Sequence, residues 1–439
     1  MLVMAMAWPG AAQTSAGQRL VAGQRAVAAR KAAAKKKAAA GPVMTRARIE
    51  LSQKMVRNAY ELGRTLEAKR RVALMTRLLY TMRPEVMAAE KKEWAEELFG
   101  LAQELPRNEV VEVDSQRNAA IATAAARLAV YDPERALELL DTLAPQRGSH
   151  EDARTMAARL VFAAYMRRHP SEGAATVLAH AKKWGEKGEF PYSASATALA
   201  KLRTNEDAAE DFFRQALGMF KRGREGLYGV RDFAGLLEQA AVLEAITEDS
   251  AEEAGQAIVN QLRKWVVDPD IALTAEQKGM VVTALADVRA AAPKAYEEAR
   301  KTAPELFTVR VETVRVKVEV PKVDAGLQTA FREVAEAMRE KRSVDAVHEV
   351  IARGLQVVNA KYKAGACGDC ASPDAQSWAL ISLSALAAPM TIATQLNGIE
   401  DPFWHAYFLA IAAQQVGEPT RVADPTARKI PGKEEAEEE

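Results

Sequence analysis

The only residues with obvious chemical reach are Cys367 and Cys370, the chain's whole cysteine content. They form a C-x-x-C within "KYKAGACGDCASPDAQSW", Lys361–Trp378. At this spacing two thiols can be a redox site, half of a metal clip or a loop staple. A redox cysteine sits at a helix N-terminus after a strand, where the helix dipole lowers its pKa. Here "KYKAGA" follows a helical pattern, and the serine and proline of Ser372-Pro373-Asp374 predict that the next helix is capped at Ser372, after both cysteines. Asp369 between them opposes thiolate formation. Zinc needs four ligands, and His348 and His405 stand at no motif spacing from the pair. The expected role is therefore a disulfide or free thiols holding a turn, with thiol-redox and thiol-metal chemistry as the alternatives.

Other catalytic patterns break down on inspection. His348-Glu349 begins an H-E-x-x-H, but Ala352 occupies the second histidine position. No G-x-S-x-G, phosphate loop or G-x-G-x-x-G occurs. No catalytic residue, metal ligand or cofactor is assigned, and the chain is expected not to be an enzyme. "DPFWHAYFLA" concentrates Phe403, Trp404, Tyr407 and Phe408. At helical spacing these rings either fill a core or form a partner-binding hot spot, since Trp and Tyr dominate such anchors.

The elements that must position these groups are helical. The chain has 439 residues, more than one compact core accommodates. It is 49% hydrophobic and 27% charged, which is ordinary globular usage. "IELSQKMVRNAYELGRTL" puts Leu51, Met55, Ala59 and Leu62 on one stripe, and "EWAEELFGLAQEL" does the same with Trp94, Leu98, Leu101 and Leu105 before Pro106 stops it. Four later segments pair a turn signal with an alanine-anchored helix: "YDPERALELLDTLA", "HPSEGAATVLAHA", "NEDAAEDFFRQAL" and "EDSAEEAGQAIVNQL". Their anchors Ala136, Ala174, Ala209 and Ala254 lie 38, 35 and 45 residues apart, each with a large apolar residue four positions on. Between them sit second helices such as "EDARTMAARLVFAAYMRR" and "VRDFAGLLEQAAVLEAI". A two-helix unit recurring at this length is the pattern of an α-solenoid.

The segment Ala209, Phe213, Ala216, Leu217 resembles the second helix of a tetratricopeptide repeat, and Ala174, Leu178, Ala181 resembles it too. The resemblance covers roughly residues 115–270 and lacks that family's first-helix tryptophan-glycine-tyrosine pattern. It implies a helical-repeat scaffold that binds a protein or peptide, and it carries over no binding residue.

The rest of the chain divides by composition. Residues 1–12, "MLVMAMAWPGAA", resemble the back half of a secretory signal peptide without its basic start, so the expected location is periplasmic or secreted, with the cytoplasm as the alternative. Residues 13–45 form a low-complexity Ala/Lys/Arg arm. Nine Lys/Arg and no acidic residue precede Glu50; removing them from the net charge of +1 leaves −8 for the remainder. The arm is expected to be a solvated tether, making nucleic acid an unlikely partner for the body. Residues 46–303 are the repeat region. Residues 304–323, containing "LFTVRVETVRVKVEVPKV", alternate valine with charged residues and read as an extended connector or strand. Residues 324–420 read as a smaller C-terminal helical bundle and 421–439 as a disordered acidic tail. No stretch is a convincing membrane span. The expected fold is all-α, an α-solenoid followed by a helical bundle, whose partner and oligomeric state the sequence leaves open.

Overall fold

The structure, a computed structural model, describes residues 46–106, 116–143, 153–187, 189–223, 226–310, 323–363, 372–420 and 422. The signal-like start, the basic arm, the acidic tail and the valine-rich stretch 311–322 lie outside the described residues. Every element among the described residues is helical, so the fold is all-α. In chain order the helices are α1 (Arg46–Gly63), α2 (Ala68–Tyr80), α3 (Ala88–Glu104), α4 (Gln116–Leu128), α5 (Pro133–Asp141), α6 (Ala153–Arg168), α7 (Gly173–Gly185), α8 (Tyr192–Leu202) and α9 (Glu206–Phe220). Then come α10 (Leu227–Val242), α11 (Glu248–Val267), α12 (Ala275–Ala291) and α13 (Pro293–Thr302), with a 3-10 turn at Pro304–Thr308. The last five are α14 (Ala325–Arg339), α15 (Val344–Lys361), α16 (Ala375–Ala387), α17 (Ile392–Leu396) and α18 (Pro402–Gly417).

Local sequence sets where these helices begin. Asp132 accepts from Arg135 N with Pro133 at the first helical position; Asn205 and Thr247 cap α9 and α11 in the same way, and Thr274 and Gln277 close a reciprocal capping box on α12. Asp401 caps α18 ahead of Pro402. One expected cap is corrected. The helix after the cysteines begins at Ala375 and is capped by Asp374, not Ser372; Asp374 Oδ1 accepts from Gln376 N and Ser377 N, both at 3.0 Å. A carboxylate reaching two orphan amides is a stronger cap than a serine hydroxyl reaching one.

Packing follows a single rule. Consecutive helices lie against one another from α1 to α13, from α14 to α16 and at α17–α18. The even-numbered helices touch one another in an unbroken row: α14, α16, α18, α2, α4, α6, α8, α10, α12. The odd-numbered helices meet closely only at α15–α17, α7–α9 and α11–α13. The repeat anchors Ala136, Ala209, Phe213, Ala216 and Ala254 are all fully buried on odd-numbered helices. Ala174 is the exception and is only partly buried. Gly173 takes the close approach instead, since a Cβ there would stand 2.9 Å from Met166 Cα.

The row's unexpected link is between α18 and the first two helices. Residues 324–420 make a large interface with residues 46–83, with α18 along α1 and touching α2. Ser52 donates to Ala413 O, Arg48 Nε to Val416 O at 3.2 Å, and Arg83 pairs with Glu418 at 3.3 Å. Small residues permit the approach: a Cβ on Gly417 would sit 2.7 Å from Ser52 Oγ. This explains why Ser52 and Val56 are buried on α1 while Leu51 and Leu62, on the predicted stripe, are only partly so.

Candidate partner-binding surface

Among the described residues the even-numbered helices carry exposed or half-buried positions, and the composition of this inner face is distinctive. On α6, Met156, Leu160 and Ala163 follow one another at i, i+4, i+7, and Met156 and Leu160 are 52% and 58% exposed. On α8 the corresponding positions are Thr197 and Ala200, both half-buried. On α10 it is Gly235, beyond which a Cβ would meet nothing within 4 Å. Val282 and Ala286 follow on α12, both exposed. On the other side lie Ala119 on α4 and Ala73 and Thr76 on α2. Small side chains along successive helices let a second chain come close to the helix surfaces, and Met156 and Leu160 offer it apolar area worth roughly 1.5–3 kcal/mol per large side chain buried.

The ends of this row differ in charge. Arg77 on α2 stacks its guanidinium 4.2 Å from the Trp378 ring of α16 and donates to Gln414 of α18, so one side chain ties three even-numbered helices. Burial pushes its pKa down to about 10, and it stays charged at neutral pH. Arg127 on α4 lies 4.0 Å over the Tyr80 ring of α2. Toward the opposite end, Asp287 of α12 is half-buried, and its pKa is pushed up to about 6, first by that burial and then by the charge of Glu238 on α10. Arg231, also on α10, acts on Asp287 in the opposite sense, so this end of the row carries charges of both signs.

The residues singled out from sequence fall elsewhere. Cys367 and Cys370 lie outside the described residues. The two flanks of their loop are held together: Tyr362 donates to Asp374 Oδ2 at 2.5 Å and accepts from Asp374 N at 3.0 Å, while Lys361 Nζ stands 3.1 Å from the same carboxylate. Burial, then the hydrogen bond to Asp374, pushes the Tyr362 hydroxyl up to about 12. Burial alone would raise the Asp374 carboxyl, but hydrogen bonds from Tyr362, Ser377 and Lys361 hold it well below the usual carboxylate range.

The aromatic hot-spot expectation is corrected. Phe403 and Phe408 are 0% exposed, Trp404 1% and Tyr407 6%. They are packed into one another and, through Tyr362, into the end of α15, so they are core and have no area left for a partner. Arg70 covers the Phe403 ring from α2 at 5.4 Å.

Cavities also open elsewhere among the described residues, one of about 510 Å³ between α7 and α9, lined by Ala174, Leu178, Ala208 and Asp211. A second, of about 440 Å³, opens between α14, α15 and the end of α16, with Met338, Val344 and Met390 around it and His348 Nε2 2.9 Å from Thr391 Oγ1. Another of about 630 Å³ lies between α1, α17 and α18, lined by Asn58, Asn397 and His405. Burial lowers the His405 pKa, keeping the imidazole neutral at pH 7. Among the described residues no three potential metal-ligating side chains gather, and no helix is long and apolar enough to cross a membrane.

The inner face leaves little trace in the sequence, because its helices do not carry one apolar stripe each. The available signal was the absence of such a stripe in "ARTMAARLVFAAYMRR", which carries Met156 and Leu160 on one side and Val161 and Phe162 buried on another. The chain matches no family model, no curated protein and no solved structure.

Proposed function

We propose that the protein is a non-enzymatic helical-repeat scaffold that binds a protein or peptide in extended form along the inner face of its even-numbered helices. In this reading the helices form one α-solenoid of hairpin units, running α14–α15, α16–α17, α18–α1 and onward to α12–α13. The first three units are built from the end of the chain, and the third pairs its last helix with its first. The observation that carries the reading is the uncovered row of small side chains flanking exposed Met156 and Leu160. The buried anchors Ala136, Ala209 and Ala254 support the repeat register, and the resemblance of the Ala209–Leu217 segment to a tetratricopeptide second helix agrees with a scaffold role.

The test is selection of a displayed random-peptide library on the purified chain, followed by affinity measurement against two variants. Leu160→Glu with Thr197→Arg puts charge and bulk on the inner face. Lys54→Glu with Arg57→Glu changes α1, which belongs to the odd-numbered layer. Selected peptides are expected to lose at least about tenfold in affinity on the first variant and to keep it on the second. Peptides indifferent to the first variant, or a selection that yields none, would sink the reading.

A further inference from the structure

The cavity of about 440 Å³ where α14, α15 and the turn after α16 meet differs from the others in its charge. Its charged lining residues are Lys341 and Arg342, and no Asp or Glu lines it. The cavities beside α1 and α9 carry Glu61 and Asp211 in their walls. The rest of this wall is mostly apolar, with Val347 and Leu386 at its centre of composition and Ala337, Ala387 and Ala388 between them. Its polar pair satisfies itself: His348 Nε2 and Thr391 Oγ1 hydrogen bond at 2.9 Å. The volume lies within the roughly 300–1,000 Å³ of small-molecule sites.

The mouth is apolar as well as cationic. Met338 at the end of α14, Val344 at the start of α15 and Met390 after α16 are 38%, 68% and 64% exposed. Three elements thus bring exposed apolar side chains to one opening, and each gains by covering a ligand. Two are methionines, whose unbranched, polarisable side chains mould to apolar surfaces of different shape. Lys341 joins them because of how α14 ends. The helix closes in a Schellman turn, with Arg342 N donating to Ala337 O at 3.1 Å and Lys341 N to Met338 O at 3.3 Å. Lys341 takes the left-handed position of that turn, at φ +52°, where glycine is favoured. Arg342 is engaged by Glu340 at 2.8 Å, whereas no carboxylate among the described residues pairs with Lys341.

We propose that this cavity binds an amphipathic carboxylate, a medium-chain fatty acid, with its tail against Val347 and Leu386 and its carboxylate at Lys341. Charge and apolar surface together select this class. An inorganic anion would leave Met338, Val344 and Met390 exposed, and an uncharged apolar molecule would leave the ammonium without a partner. A carboxylate at Lys341 makes a charge-assisted hydrogen bond at the solvent edge, while each methylene of the tail leaves water for the wall. The site uses none of the inner-face residues Met156, Leu160 or Thr197, so it stands or falls apart from the partner-binding reading.

The test is calorimetric titration of the full chain with sodium octanoate, below its micelle-forming concentration. Saturable binding at a single site per chain is expected. Lys341→Gly suits the left-handed turn, so it removes the ammonium without straining the backbone. It should weaken octanoate at least about tenfold while the thermal midpoint stays unchanged or rises. Met390→Glu, at an exposed side chain, sets a carboxylate at the mouth and should weaken octanoate as much. Val242→Glu, at an exposed apolar residue of α10 that does not line the cavity, should leave binding unchanged. Octan-1-ol has the same tail without the charge; it should bind the parent more weakly than octanoate and be indifferent to Lys341→Gly. No saturable binding of octanoate, or equal binding by the parent, Lys341→Gly and Met390→Glu chains, would overturn the proposal. So would sedimentation with phosphatidylglycerol vesicles that depends on Lys341 in a chain that does not bind octanoate, because the mouth would then be a membrane contact.

Discussion

Arg70 and Asp401 stand 331 residues apart in the chain and 3.1 Å apart in space. Asp401 is almost wholly buried, and its second oxygen caps α18 by accepting from Phe403 N and Trp404 N. One carboxylate thus starts the last helix and fastens it to the second. Removing it leaves a partly exposed guanidinium without this partner and two orphan amides at once, so Asp401→Ala should cost about 2–3 kcal/mol in urea unfolding. Asp401→Asn keeps an acceptor for the cap and should recover about 1–2 kcal/mol of that loss. If the two variants unfold at the same urea concentration as the parent, the contact does not hold the two ends of the chain together.

The same seam predicts how a truncated chain behaves. A fragment ending at residue 310 loses α18, which covers Ser52 and Val56 on α1 and lies against Thr81 after α2. Amide hydrogen exchange in α1 and α2 should accelerate toward that of a fraying terminus, while α6 to α12 remain protected. Equal protection of α1 in the fragment and the full chain would show that α18 contributes nothing to it.

The sequence made the helices and many of their starts legible, because caps are local signals. Asp401-Pro402 and the turn before Ala136 both mark true starts. It did not disclose what Ser52 touches, since a serine on α1 carries no mark of Ala413 361 residues later. The "DPFWHAYFLA" cluster misled in the opposite direction. Aromatic density identifies large buried area, but only the cover supplied by Tyr362 and Arg70 decides whether that area faces a core or a partner. The inner face was illegible for a related reason: a surface defined by small residues has no strong apolar period.

Packing of the repeat can be probed at Ala216 and Gly255. Ala216 is fully buried on α9, and a Cβ on Gly255 of α11 would come within 2.6 Å of Ala292 Cβ and 3.0 Å of Ala295 Cβ. Ala216→Leu and Gly255→Val should each overpack their unit by about 1–3 kcal/mol, lowering the thermal midpoint. Ala119→Leu, at an exposed position on α4, is the control and should change it little. Unchanged midpoints in both buried-site variants would refute the packing register.

Asp287 gives a pH signature. Its folded pKa of about 6 lies above the unfolded carboxylate value, so its contribution to stability is fully present below about pH 4 and is lost as pH rises through 6. Asp287→Asn never acquires the charge. The variant should match the parent near pH 3.8 and exceed it by about 1–2 kcal/mol at pH 7.5, the full two-unit shift being discounted because the group is half in solvent. A stability difference that does not change across this range would mean that burial beside Glu238 does not strain the carboxylate.

The flanks of the cysteine loop supply the last prediction. Tyr362 and Asp374 exchange two hydrogen bonds across the ten residues and more that separate them, and Asp374 at the same time starts α16. Tyr362→Phe keeps the ring packed on Trp404 at 4.4 Å but removes both bonds. The cost should be about 1–3 kcal/mol, and limited proteolysis should cut between residues 363 and 373 sooner than in the parent. If Cys367 and Cys370 are disulfide-bonded, they brace the same loop, and the double variant Cys367→Ser, Cys370→Ser should sensitise it further when combined with Tyr362→Phe. With the clamp intact, the double variant should leave peptide binding unchanged, because the loop's anchor is the tyrosine–aspartate pair. A thiol that titrates well below the reference of about 8.5 and turns over in a disulfide-reduction assay would instead make the loop a redox site.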